Sequence, residues 1–358
     1  MKALVGGPAS QSAGGKGSAL TVGTGMPRKG TDRRLALDAV KGLLVLLMVL
    51  YHWLNYFVTR EGEIYRYLRF ITPAFIFITG FLITNVYLAK YRIGERKLHG
   101  KLLVRGLKLV TLFTVLNLGA NLLVQKNYDG SELGVARFVA NASAIYMSGD
   151  GKGAAFEVLV PIGYLLAASS LLLLGCKVHR HFLVGMWLVC LGGVYVLKWT
   201  NIGSANLELL SMGLLGMVVG CFPLGAVDRV ARLAVAWFAA YGIYLMALSI
   251  YDVVFGLQVV GLILNMVLLY IAAKSLGDTG AIARKVIVLG QYSLLAYIAH
   301  IAILQVLARA MRPWELGAST YVLSLGGALL LTFLTVTTTV WMRRNSTLAD
   351  KLYRVVFA

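Results

Sequence analysis

The sequence predicts an all-α integral membrane protein of about ten transmembrane helices, with the N- and C-termini in the cytoplasm. Three observations support this fold class. The 358 residues are 59% hydrophobic and only 14% charged, whereas a soluble domain carries roughly a quarter charged residues. Apolar runs of membrane-spanning length recur along the chain, and basic residues concentrate in alternate connectors.

Ten apolar runs follow one another, each about as long as the roughly 20 residues that a helix needs to cross a bilayer. Proline occurs only 6 times in the chain, so we expect mostly continuous helices. In chain order the runs are 35–58, 67–89, 102–124, 155–175, 182–198, 206–223, 231–251, 254–273, 286–308 and 319–342.

The basic residues between these runs are distributed unequally. The connectors on the side of the N-terminus hold 25 of the 34 Lys and Arg residues. Because short cytoplasmic connectors are enriched in Lys and Arg, this side is predicted to be the cytoplasm. An even number of spans returns the C-terminus to the same side. Membrane topology thus accounts for the formal charge of +19, which would indicate nucleic-acid binding only in a soluble protein.

The runs form one predicted domain between two tails. Residues 1–32 are rich in Gly, Ser and Ala and lack the apolar core of a signal peptide, which predicts a disordered cytoplasmic tail. Residues 33–345 form the polytopic membrane domain, and residues 346–358 a cytoplasmic C-terminal tail. The three cysteines lack metal-ligand or CxxC spacing, so no metal site is expected. The short connectors favour a bacterial inner membrane.

Polar side chains inside the runs are candidates for function, because such residues are costly in lipid. Lys41 and His52 lie eleven residues apart in the first run, which returns them to nearly the same helix face. An imidazole at this position could serve as a general base or have a structural role. Glu157, near the outer end of the fourth run, could hold the tautomer of that imidazole or face water.

Two further features belong to the ninth and third runs. If the first and ninth helices are neighbours, His300 and His52 face one cavity; otherwise His300 hydrogen-bonds a neighbouring helix. Arg105 and Lys108 lie about one turn apart in the first turns of the third run and share a face. This pair could bind lipid head groups or the phosphates of a nucleotide-bearing acyl donor.

Several segments resemble the membrane-bound acyltransferase-3 family. LDAVKGLLVLLMVLYHW resembles its first-helix motif, in which an Arg, ten residues and a His follow one another. TPAFIFITGFLI resembles the second-helix motif that ends in Ser-Gly-Phe-Leu, and LGQYSLLAYIAHI the late motif that ends in Leu-His. FEVLVPIGYLLAAS and MGLLGMVVG resemble the glucan-succinyl and heparan-glucosaminide acetyltransferase branches of the same superfamily. The likeness covers most of residues 33–310.

The resemblance implies an enzyme that transfers an acyl group from cytoplasmic acyl-CoA to a hydroxyl of a glycan or lipid-linked sugar at the outer face. Acetyl-CoA is the expected co-substrate. His52 would be the catalytic histidine, with Glu157 or Tyr292 as its supporting group and His300 in the same cavity. Asn55, Thr79 and Ser293 are open candidates for polarising the thioester carbonyl.

The same resemblance implies that Lys41, Arg105 and Lys108 hold the phosphates of the donor. Lys41 stands where the family has Arg, which keeps the charge but loses the bidentate donor geometry. Two alternatives from other classes stay open at this point. A transporter or flippase of a glycan or lipid predicts paired acidic residues or broken helices within several spans, and a membrane scaffold would need neither histidine.

Overall fold

A computed structural model describes residues 29–58, 64–123, 134–149, 155–179, 181–251, 254–277, 280–311 and 317–357. Within these ranges the chain is α-helical with short π-helical turns and contains no β-strand. In chain order the helices are α1 Lys29–Trp53, α2 Ile64–Leu68, α3 Ile71–Leu82, α4 Leu88–Lys90, α5 Arg96–Leu123, α6 Val135–Ala140, α7 Leu159–Val178, α8 Phe182–Trp199, α9 Ala205–Gly220, α10 Leu224–Ala231, α11 Ala234–Ile250, α12 Phe255–Leu276, α13 Ala281–Gln291, α14 Ser293–Ala310, α15 Ala318–Asn345 and α16 Thr347–Phe357.

The all-helical membrane architecture predicted from the sequence is confirmed. Eight helical segments of the described chain are long and apolar enough to cross a membrane. The pair α9 and α10, bent by 98° at its break, gives a ninth if it is taken as one span, and α11 is a shorter apolar helix. The helix count of about ten and the cytoplasmic position of both termini stay predictions.

Two features of the chain differ from a simple series of continuous spans. The predicted run 286–308 is divided at Tyr292, whose φ of −109° and ψ of 27° leave the helical range, so that α13 ends before it and α14 begins after it. The predicted C-terminal tail contains the helix α16, one residue after α15. Of the predicted disordered tail, residues 1–28 lie outside the described part of the chain.

Close helix packing brings the first helix into contact with helices near the end of the chain. α1 packs along α13 and also contacts α14 and α15. At the α1–α13 contact, a Cβ added to Gly42 would overlap the Val286 carbonyl, and one added to Gly290 would overlap the Asp38 carbonyl. Glycine therefore allows the two backbones to touch. This contact fixes the side of α1 that faces α14.

Candidate active site

The histidines of α1 and α14 are in contact. The ring centroids of His52 and His300 lie 5.3 Å apart, with the ring planes 42° to one another. His300 is fully buried, whereas His52 is partly accessible. A π-helical turn, Leu54–Val58, follows directly after α1, and such turns are frequent at functional sites.

The hydrogen bond of His300 determines its tautomer. Its Nδ1 lies 2.9 Å from the Ala296 carbonyl oxygen. Because a carbonyl oxygen can only accept, Nδ1 carries the proton and Nε2 has a free lone pair. This Nε2 is buried, and no hydrogen-bond partner for it occurs in the part of the chain that the structure describes. A buried, unpartnered acceptor inside a membrane protein is costly, which favours a functional role.

Aromatic rings enclose the two imidazoles. Tyr51 meets the His52 ring edge to face at 5.2 Å, and Tyr297 meets His300 at 5.6 Å. Tyr297 also lies 6.3 Å from the ring of Phe75 on α3. Tyr297 therefore connects the histidine pair to the neighbouring helices.

The structure links Glu157 to the histidines through Tyr297. The carboxylate, at an exposed position just before α7, interacts electrostatically with Tyr297, whose hydroxyl also hydrogen-bonds the Val158 backbone. Tyr297 in turn contacts His300. Glu157 is thus connected to the pair of His52 and His300 through Tyr297.

Tyr292 is not brought to the histidine pair. It precedes His300 by eight residues, or about 12 Å along a helix. Its hydroxyl instead accepts a hydrogen bond of 2.9 Å from Arg343 Nη1, and its ring lies 5.3 Å from Tyr353 on α16. The predicted support of His52 by Tyr292 has no counterpart in this geometry.

A pocket of about 250 Å³ extends from Tyr297, which contacts His300, to the predicted basic pair. Neither His52 nor His300 is among the residues that line it. It is elongated, because Phe75 contacts Tyr297 while Tyr87, twelve residues later, lies 5.7 Å from the Arg105 guanidinium. Twelve residues of helix correspond to about 18 Å. Its wall is mainly apolar and includes Thr79, Ser293, Tyr297, Arg105, Lys108, Val356 and Phe357. We call the Tyr297 and Phe75 part the histidine end and the Arg105, Lys108 and Phe357 part the basic end.

Lys41 is placed differently from the other two predicted donor-binding cations. Arg105 and Lys108 are both in the pocket wall, and Lys41 is not among the residues that line it. The Lys41 Nζ lies 2.6 Å from the Asp38 carboxylate, one turn earlier on α1. The Asp38 carboxylate therefore partly neutralises the positive charge of Lys41.

A family model described as an acyltransferase domain, that of the acyltransferase-3 family, matches residues 34–344. The chain belongs to the acyltransferase-3 family. The match confirms the resemblance noted in the sequence and shows a membrane acyltransferase, which favours acyl transfer over the transporter and scaffold alternatives. None of the curated proteins or solved structures compared with the chain matches it.

The sequence did not predict two parts of the site of this acyltransferase: Tyr297, and the pair Val356 and Phe357. Tyr297 stands three residues before His300, so the spacing along the helix was sufficient to place both on one face. Val356 and Phe357 belong to the segment predicted as a tail, and no local pattern relates that segment to a pocket. Among the described residues, no group of three or more His, Cys, Asp or Glu could hold a metal ion.

Proposed function

We propose that this acyltransferase moves an acetyl group from cytoplasmic acetyl-CoA to a hydroxyl of a glycan or lipid-linked sugar at the outer face of the membrane. The observation that carries the proposal is one continuous pocket that runs from Arg105 and Lys108 to Tyr297, whose ring contacts His300. A CoA thioester has the same order of parts: charged phosphates, a long neutral arm and a reactive carbonyl.

The basic end suits the phosphates of the donor. Arginine and lysine form charge-assisted hydrogen bonds to phosphate oxygens, which are stronger than neutral hydrogen bonds. Arg105 and Lys108 are both in the pocket wall, and Lys41 would add to the positive field from α1. With the basic end in the cytoplasm, the positive-inside rule orients both termini to the same side.

The histidine end suits the transfer step. We assign the general base to His52, because its side chain is partly accessible whereas that of His300 is fully buried. The acceptor hydroxyl gives its proton to the imidazole as its oxygen bonds to the acyl carbon; the carbon–sulfur bond then breaks, and the thiolate of CoA takes the proton. His300, whose Nδ1 donates to the Ala296 carbonyl oxygen, orients His52.

Transfer of label from radiolabelled acetyl-CoA by the purified protein tests this function. In a detergent or nanodisc preparation supplied with a sugar acceptor, wild type should form labelled ester and release CoA. His52→Ala should reduce that rate by about 10²–10⁴-fold, the usual contribution of a general base.

A matched control is His179→Ala, because His179 is exposed at the end of α7, away from the pocket. It should transfer label at the wild-type rate. Equal rates for His52→Ala and wild type would remove His52 from the mechanism. Absence of both transfer and binding for acetyl-CoA would contradict the proposed donor.

A further inference from the structure

The helix α16 lies outside the region that the family model matches, which ends at residue 344. Its last turn nevertheless contributes Val356 and Phe357 to the pocket wall, together with Arg105 and Lys108. The family assignment alone therefore does not describe the whole pocket of this chain.

Charged and aromatic contacts hold α16 against the bundle. Arg343, near the end of α15, donates to the Asp350 carboxylate from Nε at 2.9 Å and from Nη2 at 2.6 Å. The Arg343 guanidinium also lies 4.0 Å from the centre of the Tyr353 ring. Tyr353 lies 5.3 Å from Tyr292 and stacks on Phe357 at 5.0 Å. These contacts place Phe357 next to the start of α14.

The opposite face of α16 is apolar and exposed. Leu348, Leu352 and Val355 repeat at helical spacing and are 66%, 58% and 67% accessible. They point away from the face that carries Asp350 and Tyr353. Such an amphipathic helix, joined to a membrane-spanning one by a single residue, is typical of a helix that lies on the membrane surface. Lipid on one side and the bundle on the other would keep α16 at the pocket.

We propose that α16 completes the donor-binding site and that Phe357 contacts the nucleotide end of acyl-CoA. This inference rests on the proposed function. Phe357 shares the basic end with Arg105 and Lys108, which would take the phosphates, and a flat ring beside a phosphate site is suited to stack on a nucleobase. Ser293, at the same end, precedes His300 by seven residues, or about 10 Å of helix, so the reacting carbonyl lies beyond the reach of Phe357.

The test compares steady-state kinetics of Phe357→Ala and wild type with two donors. With acetyl-CoA, the KM should rise by about 5–150-fold, which corresponds to the roughly 1–3 kcal/mol that base–aromatic stacking contributes, and kcat should be unchanged. With S-acetyl-pantetheine, which lacks the nucleotide, the two proteins should have the same KM. Phe357→Trp should restore the wild-type KM for acetyl-CoA.

The matched control is Phe238→Ala, the same truncation at an exposed position of α11 outside the pocket wall, which should leave both KM values unchanged. An unchanged KM for acetyl-CoA in Phe357→Ala would overturn the proposal while the proposed function stands. An equal loss with both donors would also overturn it, because it would indicate a structural role. If wild type transfers from neither donor, the proposed function itself fails. Should Phe357→Ala not fold, Phe357→Leu carries the same expectation.

Discussion

The histidine end and the basic end of the pocket are built in different ways. At the histidine end, two distant parts of the chain meet where the rings of His52 and His300 pack together, and His300 is fully buried. The close backbone contact at Gly42 and Gly290 lies ten residues, or about 15 Å of helix, from each histidine. At the basic end, α16 is held by the Arg343–Asp350 ion pair and has an exposed outer face. Close packing allows little adjustment, whereas surface ion pairs are weak. We infer a rigid reactive end and an adaptable donor end.

The largest effect should come from His300, if the reactive end depends on a fixed imidazole pair. His300→Phe removes the Nε2 acceptor that orients His52 and should lower kcat by up to about 10²–10⁴-fold, the contribution of the general base that it positions, with little change in the KM for acetyl-CoA. Tyr297→Phe is the companion variant, because it keeps the ring against His300 and removes only the hydroxyl. A His300→Phe enzyme with wild-type kcat would show that His52 acts without His300.

At the basic end, we expect an effect on donor binding and not on the chemical step. Arg105→Ala should raise the KM for acetyl-CoA by about 10–100-fold, because a hydrogen bond to a charged group contributes about 1.5–3 kcal/mol. Steady-state kinetics at two salt concentrations measures this KM. As salt is added, the KM of wild type should rise more steeply than that of the variant.

Lys41→Ala sharpens the same comparison, because Lys41 is already paired with Asp38 and lies outside the pocket wall. Its effect on the KM should be smaller than that of Arg105→Ala, and Lys41→Arg should be tolerated. Should Lys41→Ala have the larger effect, the donor phosphates lie nearer to α1 than we propose.

The contact that holds α1 against α13, ten residues from each histidine along the chain, can be tested by itself. Gly290→Ala puts a methyl group into the Asp38 carbonyl and should destabilise the protein by about 1–3 kcal/mol, as overpacking does. Thermal unfolding in detergent should show a lower midpoint together with lower activity. Gly119→Ala is the control, because nothing lies within 4 Å of the added Cβ. Equal midpoints for the two variants would show that the α1–α13 contact can adjust.

Much of the structure at the two ends of the pocket could be predicted from sequence patterns within single helices. Hydrophobic runs located the spans, and helical spacing placed Lys41 with His52 and Arg105 with Lys108. Periodicity describes one helix at a time, so it could not decide whether the helices that carry His52 and His300 are neighbours. The structure brings those two rings together.

The positions of Tyr292 and α16 could not be predicted for a similar physical reason. Tyr292 was grouped with His52 because both occur in motif segments, but the break at Tyr292 turns it toward Arg343 and α16. The role of α16 depends on long-range contacts through Arg343 and Tyr292. Short amphipathic segments do not indicate which surface they cover, so the sequence suggested only a tail.

The smallest expected effect concerns the attachment of α16. The hydrogen bond from Arg343 holds the pKa of the Asp350 carboxyl below its usual range. A depressed pKa in the folded state means that the carboxylate stabilises the attached helix above the ordinary pKa of aspartate, and that this contribution disappears as the pH falls through the lowered value. Attachment should therefore be constant near neutral pH and weaken only in acid.

Limited proteolysis of α16 between neutral pH and about pH 3, below the usual pKa of aspartate, measures this effect. Wild type should become cleavable only in acid. Asp350→Asn should be cleaved to the same extent at every pH, and slightly more than wild type at neutral pH. Glu95→Gln changes a carboxylate away from α16 and serves as the control. If wild type and Asp350→Asn respond identically to acid, the aromatic contacts of Tyr353 hold the helix, and the basic end is less adaptable than its ion pairs suggest.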